Sequence, residues 1–269
     1  MSAAPGLVGV RPRFNRRGAL TALLAGAFLA SLAMVAGDEL THSGGGAAAW
    51  DLLGSLLRPD LSRAFLATVA EASLLTLGYA VAGMSVALVI GVPGAFLVSG
   101  VLTRRRVVRA GSVAAGRSVF ATLRAIHELV WALLLLSILG LTPLAGVLAI
   151  GIPYGATVAR VLGERLQDVP PAPPAALETA GASPWQILCY ARLPLAGADM
   201  AGYVFYRFEC AVRAAAVLSF IGLGGIGYRI EIALADLRFE QVWTLLAALV
   251  TVIVIVDRVS AMVRARMVV

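Results

Sequence analysis

Arg207, Glu209 and Arg213 interrupt the apolar stretch 198–220, where a charge at the bilayer centre costs roughly 2.5–3.5 kcal/mol on insertion scales. Residues that carry such a cost face protein or water rather than lipid. Glu209 and Arg213 are four apart, so a helix puts them on one face at ion-pair spacing, while Arg207 points elsewhere. Two chemistries fit these candidates for a path or gate. One is an ion pair that packs or gates the helix. The other is direct contact with an anionic solute, to which the planar guanidinium of arginine is suited.

Gly222, Gly224 and Gly227, with Gly225 between them, fit the spacing of a dinucleotide-binding loop. That loop follows a strand inside a βαβ unit; here an apolar helix precedes it, so a tight outer-face loop allowing close backbone approach fits better. All 22 basic residues are arginine, and a Walker phosphate loop requires lysine. The chain is therefore expected to have no ATP site, no cofactor and no catalytic residues of its own. No nucleophile stands beside a base. Glu71, Arg124, His127, Glu128 and Asp199 fall near predicted helix ends, where snorkelling or capping accounts for them, and His127 alone is no metal site. Cys189 and Cys210, in a predicted loop and a predicted membrane helix, are not expected to form a disulfide.

The elements that carry these residues follow from composition. Sixty per cent of the 269 residues are hydrophobic, above the roughly 45–50% of soluble domains, and they fall in blocks long enough to cross about 30 Å of hydrocarbon as helices. The expected fold is an all-α integral membrane protein with about six spans, near 18–36, 65–101, 121–139, 143–162, 198–220 and 242–256. The second is long enough to tilt, extend beyond the bilayer and kink near Pro93. Residues 1–17 form a tail, and 18–269 one transmembrane domain. The charge of +7 does not indicate nucleic acid, because the arginines lie between the apolar blocks. Arg11, Arg13, Arg16 and Arg17, the group Arg104, Arg105, Arg106, Arg109 and Arg117, then Arg160, Arg165, Arg192, Arg258, Arg264 and Arg266 share one side. Only Arg58, Arg63, Arg229 and Arg238 face the other. The positive-inside rule then places both termini in the cytoplasm. The run around Trp50–Leu57 reads as a short interfacial helix, and Trp131 and Trp243 as interfacial anchors.

Residues 163–194 form the most informative cytoplasmic segment. Pro170, Pro171, Pro173 and Pro174 give a stiff entry to a short helix over 175–180. Gly181 suits a left-handed helix terminus. Ser183, Pro184 and Gln186 restart a helix as a capping box with proline in its first position. Helix, bend and helix make a hairpin.

This segment resembles the EAA loop of ABC importer permeases, in which a glycine precedes the proline of a Leu-Pro pair by thirteen positions, as Gly181 precedes Pro194 after Leu193. Ala175 and Ala191 stand where the family has Glu and Ile. The stretches 123–134 (LRAIHELVWALL), 206–209 (YRFE) with Arg213, and 222–227 (GLGGIG) resemble signatures of phosphonate-type permeases, with His127 and Ala211 where Pro and Asn are usual. The resemblance covers the chain from about Ser62 onward. It implies a type I importer permease in the bacterial inner membrane, multi-pass and surrounded by lipid. It further implies pairing as a homodimer, two ATPase subunits that use ATP and Mg, and an extracytoplasmic solute-binding protein. The implied cargo is phosphonate or a related small oxyanion such as phosphate or phosphite. Gly181, Ser183, Pro184, Leu193 and Pro194 become the ATPase-coupling residues. A permease for a different small solute is the alternative, followed by an ion-coupled secondary transporter, which calls for mid-membrane carboxylates and an inverted repeat.

Overall fold

The computed structural model describes residues 16–35 and 45–267; Arg11, Arg13, Asp38, Glu39 and Gly44 lie outside them. By packing, the chain divides after Leu53. The first unit carries α1 (Arg16–Val35), a run of Leu, Ala, Phe and Met with no acidic residue. Helix α2 (Gly45–Ser55) matches the short helix expected around Trp50.

The second unit contains the remaining helices. Helix α3 (Arg63–Ser99) is a single 37-residue helix with Pro93 inside it. Helix α4 (Arg106–Ala125) leads to α5 (Glu128–Leu139), and α6 spans Pro143–Gln167. Two short helices, α7 (Ala172–Thr179) and α8 (Pro184–Ile187), precede a π-helical turn over Leu188–Arg192 and α9 (Leu193–Leu218). A 3₁₀ turn, Ser219–Ile221, leads to α10 (Ile226–Ala235), and α11 (Phe239–Met267) closes the chain. Among the described residues, four helices (α1, α3, α6 and α11) are long and apolar enough to cross a membrane, or up to six spans if each of two bent pairs is one.

One bent pair falls on the expected third span. Residues 121–139 are not one helix: α4 ends at Ala125, α5 starts at Glu128, and the two are bent by 85°. Ile126 and His127 both adopt extended backbone, and His127 Nδ1 accepts a hydrogen bond from the Leu129 N–H at 3.3 Å. The histidine is a helix cap, and capping ends one helix by starting another. The arginine-rich stretch read as a loop is likewise mostly helical, because residues 106–125 contain no proline or acid and alternate Arg with Val and Ala at helical spacing.

The core is built where α3 meets α6. Lipid tails are as apolar as leucine, so membrane helices gain little by hiding apolar surface and associate through close packing of small residues. Gly83, Gly91 and Gly94 on α3 interleave with Gly151, Gly155 and Gly163 on α6. A Cβ at Gly155 would lie 2.9 Å from Ile90 Cβ and 3.1 Å from the Ala87 carbonyl oxygen; one at Gly163 would lie 3.1 Å from the Ala95 carbonyl oxygen. The backbones themselves are in contact. Tyr79, Ala80, Met84, Ile150, Tyr154 and Val158 surround this seam and are buried. A second cluster joins Val69 and Ala72 to Ile226, Ile230 and Leu245. The start of α11 is tied to the segment before α3 by Asp60. Its carboxylate accepts from the Ser62 N–H at 3.0 Å and Gln241 Nε2 at 3.2 Å, and its carbonyl accepts from Thr244 Oγ1 at 3.0 Å. Those Ser62 contacts lower the Asp60 pKa below its usual value.

The seam yields a direct test. At Gly91 an added Cβ would sit 2.5 Å from Val158 Cγ1, whereas at Gly78, on the same helix, it would meet nothing within 4 Å. Gly91→Ala is expected to destabilise the purified protein by about 1–3 kcal/mol through overpacking, while Gly78→Ala is neutral or stabilising. Melting curves in detergent compare them, and equal midpoints would contradict the packing described.

Candidate translocation path and coupling hairpin

The hairpin forms as local sequence dictates. Pro173 and Pro174 occupy the first turn of α7, where their missing N–H groups have no intrahelical partner to lose. The helix ends in a Schellman pair: the Gly181 N–H donates to the Glu178 carbonyl and the Ala182 N–H to the Leu177 carbonyl, each at 3.0 Å. Gly181 has φ +84°, a left-handed geometry that costs a non-glycine residue roughly 1–2 kcal/mol. Ser183 then caps α8 reciprocally. Its Oγ accepts from the Gln186 N–H at 3.3 Å, and its own N–H donates to Gln186 Oε1 at 2.7 Å. Pro184 is in the first turn of α8, and Leu193 and Pro194 open α9. The π turn between them keeps the helix continuous, so the hairpin's second arm runs unbroken from Pro184 to Leu218.

Two arginines absent from the sequence reasoning on the hairpin hold it to the bundle. Arg192 Nη1 donates to the Leu166 carbonyl at 2.5 Å, and Arg104 Nη2 donates to the Ala182 carbonyl at 2.6 Å. Leu188 is buried with Leu166, Val169 and Ala196, and Ala191 is buried as well. Trp185 is 58% exposed, with its ring edge-on to Phe96 of α3 at 6.1 Å between centroids, and Tyr190 is 76% exposed.

The three charged residues of α9 take three different environments. Glu209 accepts an ion-paired hydrogen bond at 2.5 Å from Arg264 Nη1 on α11, with its side chain 11% exposed. The expected partner, Arg213, is exposed and instead contacts Cys210 Sγ at 3.6 Å. Spacing permitted the pair with Arg213, but α11 packs alongside α9 and its arginine arrives from the buried side. Arg207 lies with its guanidinium carbon 3.7 Å from the centre of the Tyr154 ring, a cation–π geometry. Its Nε is buried without a hydrogen-bond partner. Glu209 is thus neutralised, while Arg207 and Arg213 have no carboxylate partner among the described residues. Arg213 shares an exposed stripe with Tyr206, Val217 and Phe220 at helical spacing. Neither Arg264 nor Tyr154 was foreseen as a partner, since each meets α9 from a distant part of the chain.

At the other end of α9 the glycine loop is tightly folded. Gly222, Gly224 and Gly225 all have positive φ, 91°, 80° and 95°. The Ile226 N–H donates to Thr76 Oγ1 at 2.9 Å, the Gly227 N–H to Ser219 Oγ at 2.8 Å, and Tyr79 Oη donates to the Leu223 carbonyl at 2.9 Å. Three of the loop's amides, those of Gly222, Ile226 and Gly227, are engaged within the chain. Among the described residues no group of three or more His, Cys, Asp or Glu is arranged to hold a metal.

An all-helical membrane bundle whose hairpin arm continues into a membrane helix has the fold of a type I ABC importer permease. The methionine ABC transporter MetNI, in an inward-facing conformation, matches it at TM-score 0.67 and 18% identity, over 77% of this chain and 99% of that one. Residues 97–269 match the family described as binding-protein-dependent transport system inner membrane component, and the chain belongs to that family. It is accordingly a multi-pass inner-membrane protein. The phosphite transport system permease protein PtxC of Stutzerimonas stutzeri is 29% identical over 215 residues, 79% of this chain and 75% of that protein. The phosphate-import permease protein PhnE of Mycolicibacterium smegmatis is 28% identical over 152 residues, 56% of this chain and 29% of that longer protein.

The ion pair is testable by a mutant cycle. Arg264→Ala should leave Glu209 unpaired and lower stability by about 1–3 kcal/mol, and adding Glu209→Gln should recover much of the loss. Arg213→Ala should not change stability, because it has no acid partner. Coupling between Glu209 and Arg213 in place of Arg264 would contradict the pairing.

Proposed function

We propose that the chain is the translocation subunit of an ATP-driven importer for a small phosphorus oxyanion, in the class of phosphonate, phosphite and phosphate. Two copies form the path, two separate ATPase subunits bind and hydrolyse ATP with Mg, and a solute-binding protein delivers cargo on the outer face. Both termini lie in the cytoplasm, as the arginine distribution favours. The observation that carries the cargo reading is on α9: Arg264 cancels Glu209, leaving Arg207 and Arg213 as two uncancelled guanidiniums on one helix. Guanidinium is suited to tetrahedral oxyanions by its forked donors. The phosphite and phosphate names of the relatives support the same class.

The hairpin is the ATPase contact in this reading. Trp185 and Tyr190 are exposed aromatics on an arm continuous with α9, so a displacement of the arm is delivered to the helix that carries Arg207 and Arg213. The lack of lysine throughout the chain supports a separate ATPase.

Proteoliposomes holding the complete transporter test both parts. ATP-dependent uptake of orthophosphate, phosphite or methylphosphonate is expected, and the double variant Arg207→Gln/Arg213→Gln should lower it at least about tenfold, the loss expected for charge-assisted contacts. Gly181→Val should reach the membrane at normal levels yet lose ATPase binding or its stimulation by loaded binding protein, because a β-branched residue resists φ +84° and tilts α8. No uptake of any phosphorus oxyanion, with uptake of another solute, would overturn the cargo; normal coupled uptake by Gly181→Val would overturn the hairpin's role.

A further inference from the structure

Beside the hairpin lies a cavity of about 740 Å³, within the roughly 300–1,000 Å³ range of small-molecule sites. Its walls come from the end of α3, the first turns of α4 and the α7–α8 hairpin. Four arginines line it, Arg104, Arg106, Arg109 and Arg192, against one carboxylate, Glu178. Like charges gathered around one space repel, and a bound counter-charge relieves the arrangement.

Two of the four are already fixed in place, Arg104 by the Ala182 carbonyl and Arg192 by the Leu166 carbonyl. The other two are free to bind. Neither Arg106 nor Arg109 has a carboxylate or hydrogen-bonded side-chain partner among the described residues, and both are exposed. The Arg109 stem lies so close to Gly100, at φ +64°, that a Cβ there would approach its Cγ to 2.7 Å. Helix α4 begins at the same wall, and its N-cap, Arg105, offers no side-chain hydrogen bond, so the first amides and the positive end of the helix dipole are uncompensated there. Fixed guanidiniums, free guanidiniums and an uncapped 20-residue helix converge on one volume.

We propose that this cavity is an oxyanion site for a phosphate-class group, either the free inorganic ion or the headgroup of an anionic phospholipid, separate from the path along α9. The site itself is independent of which cargo crosses the membrane. A bound anion bridges Arg106 and Arg109 on α4 to Arg104 and Arg192, the two residues that hold the hairpin. Occupancy therefore ties the hairpin to the bundle and slows its motion, a consequence that rests on the hairpin being the ATPase contact.

Full-length protein in phosphatidylcholine nanodiscs, equilibrated with radiolabelled orthophosphate, tests the free-ion source. Native mass spectrometry of protein from phosphatidylglycerol-containing membranes tests the lipid source. The variants are R106Q/R109Q at the cavity and R207Q/R213Q on α9, with single R106Q, at an exposed position, as the substitute if the double variant does not assemble. The site is supported if R106Q/R109Q weakens orthophosphate binding about tenfold or more while R207Q/R213Q retains that component. It is equally supported, with a lipid as occupant, if R106Q/R109Q loses a phosphatidylglycerol that the wild type and R207Q/R213Q keep. The proposal is overturned if R106Q/R109Q matches the wild type in both arms, including the case in which the wild type binds neither. Loss confined to R207Q/R213Q overturns the cavity site and leaves the transport reading intact.

Discussion

The glycine seam between α3 and α6 is the constraint on which the other features depend. With no apolar driving force between helices in lipid, two long helices hold together only where their backbones touch, and Gly91, Gly151, Gly155 and Gly163 make that contact possible. Everything functional is then referenced to the seam. Tyr79, near one end, fixes the glycine loop through the Leu223 carbonyl. Tyr154, at its middle, hydrogen-bonds the Cys210 carbonyl at 3.3 Å and lies under Arg207. Leu166, at its far end, accepts the hydrogen bond from Arg192 of the hairpin.

Helix α9 is held by this frame at three heights, yet its hairpin arm projects beyond it. That arrangement suits a lever. The π turn at Leu188–Arg192 adds a residue to the helical register without breaking the helix, so α8 and the segment that carries Arg207 and Arg213 form one continuous rod. Neutralisation of Glu209 by Arg264 ties the rod to α11 and leaves the helix with net positive character. In the proposed reading, the same helix joins mechanical input to electrostatic selectivity.

What was legible in the sequence was local. The turn at Gly181 and the capping box of Ser183 and Gln186 depend on residues within a few positions of one another, and the structure contains both. The apolar blocks likewise marked the long helices, because span length is set by bilayer thickness rather than by neighbours. The break at His127 is obscured because apolar residues flank Arg124, His127 and Glu128 on both sides; there Ile126 and His127 turn extended and His127 caps α5. Glu209 was assigned the wrong partner for a related reason: position 213 satisfies helical spacing, whereas Arg264 is 55 residues away and becomes its neighbour only through the packing of α11 on α9. Arg104 and Arg192 counted as topology charges, and nothing in their spacing indicated that each clamps a backbone carbonyl.

The proposed division into a rigid seam and a moving arm is tested most directly by pulsed electron–electron spin resonance on the assembled transporter. One label pair belongs at the exposed positions Leu74 on α3 and Leu144 on α6, and a second at Trp185 on the arm with Leu74 as reference, after Cys189 and Cys210 are replaced. Across nucleotide-free, ATP-bound and hydrolysed states, the Leu74–Leu144 distance should hold one value while the Trp185–Leu74 distance shifts. A change in the α3–α6 distance together with a fixed arm would contradict the frame-and-lever arrangement.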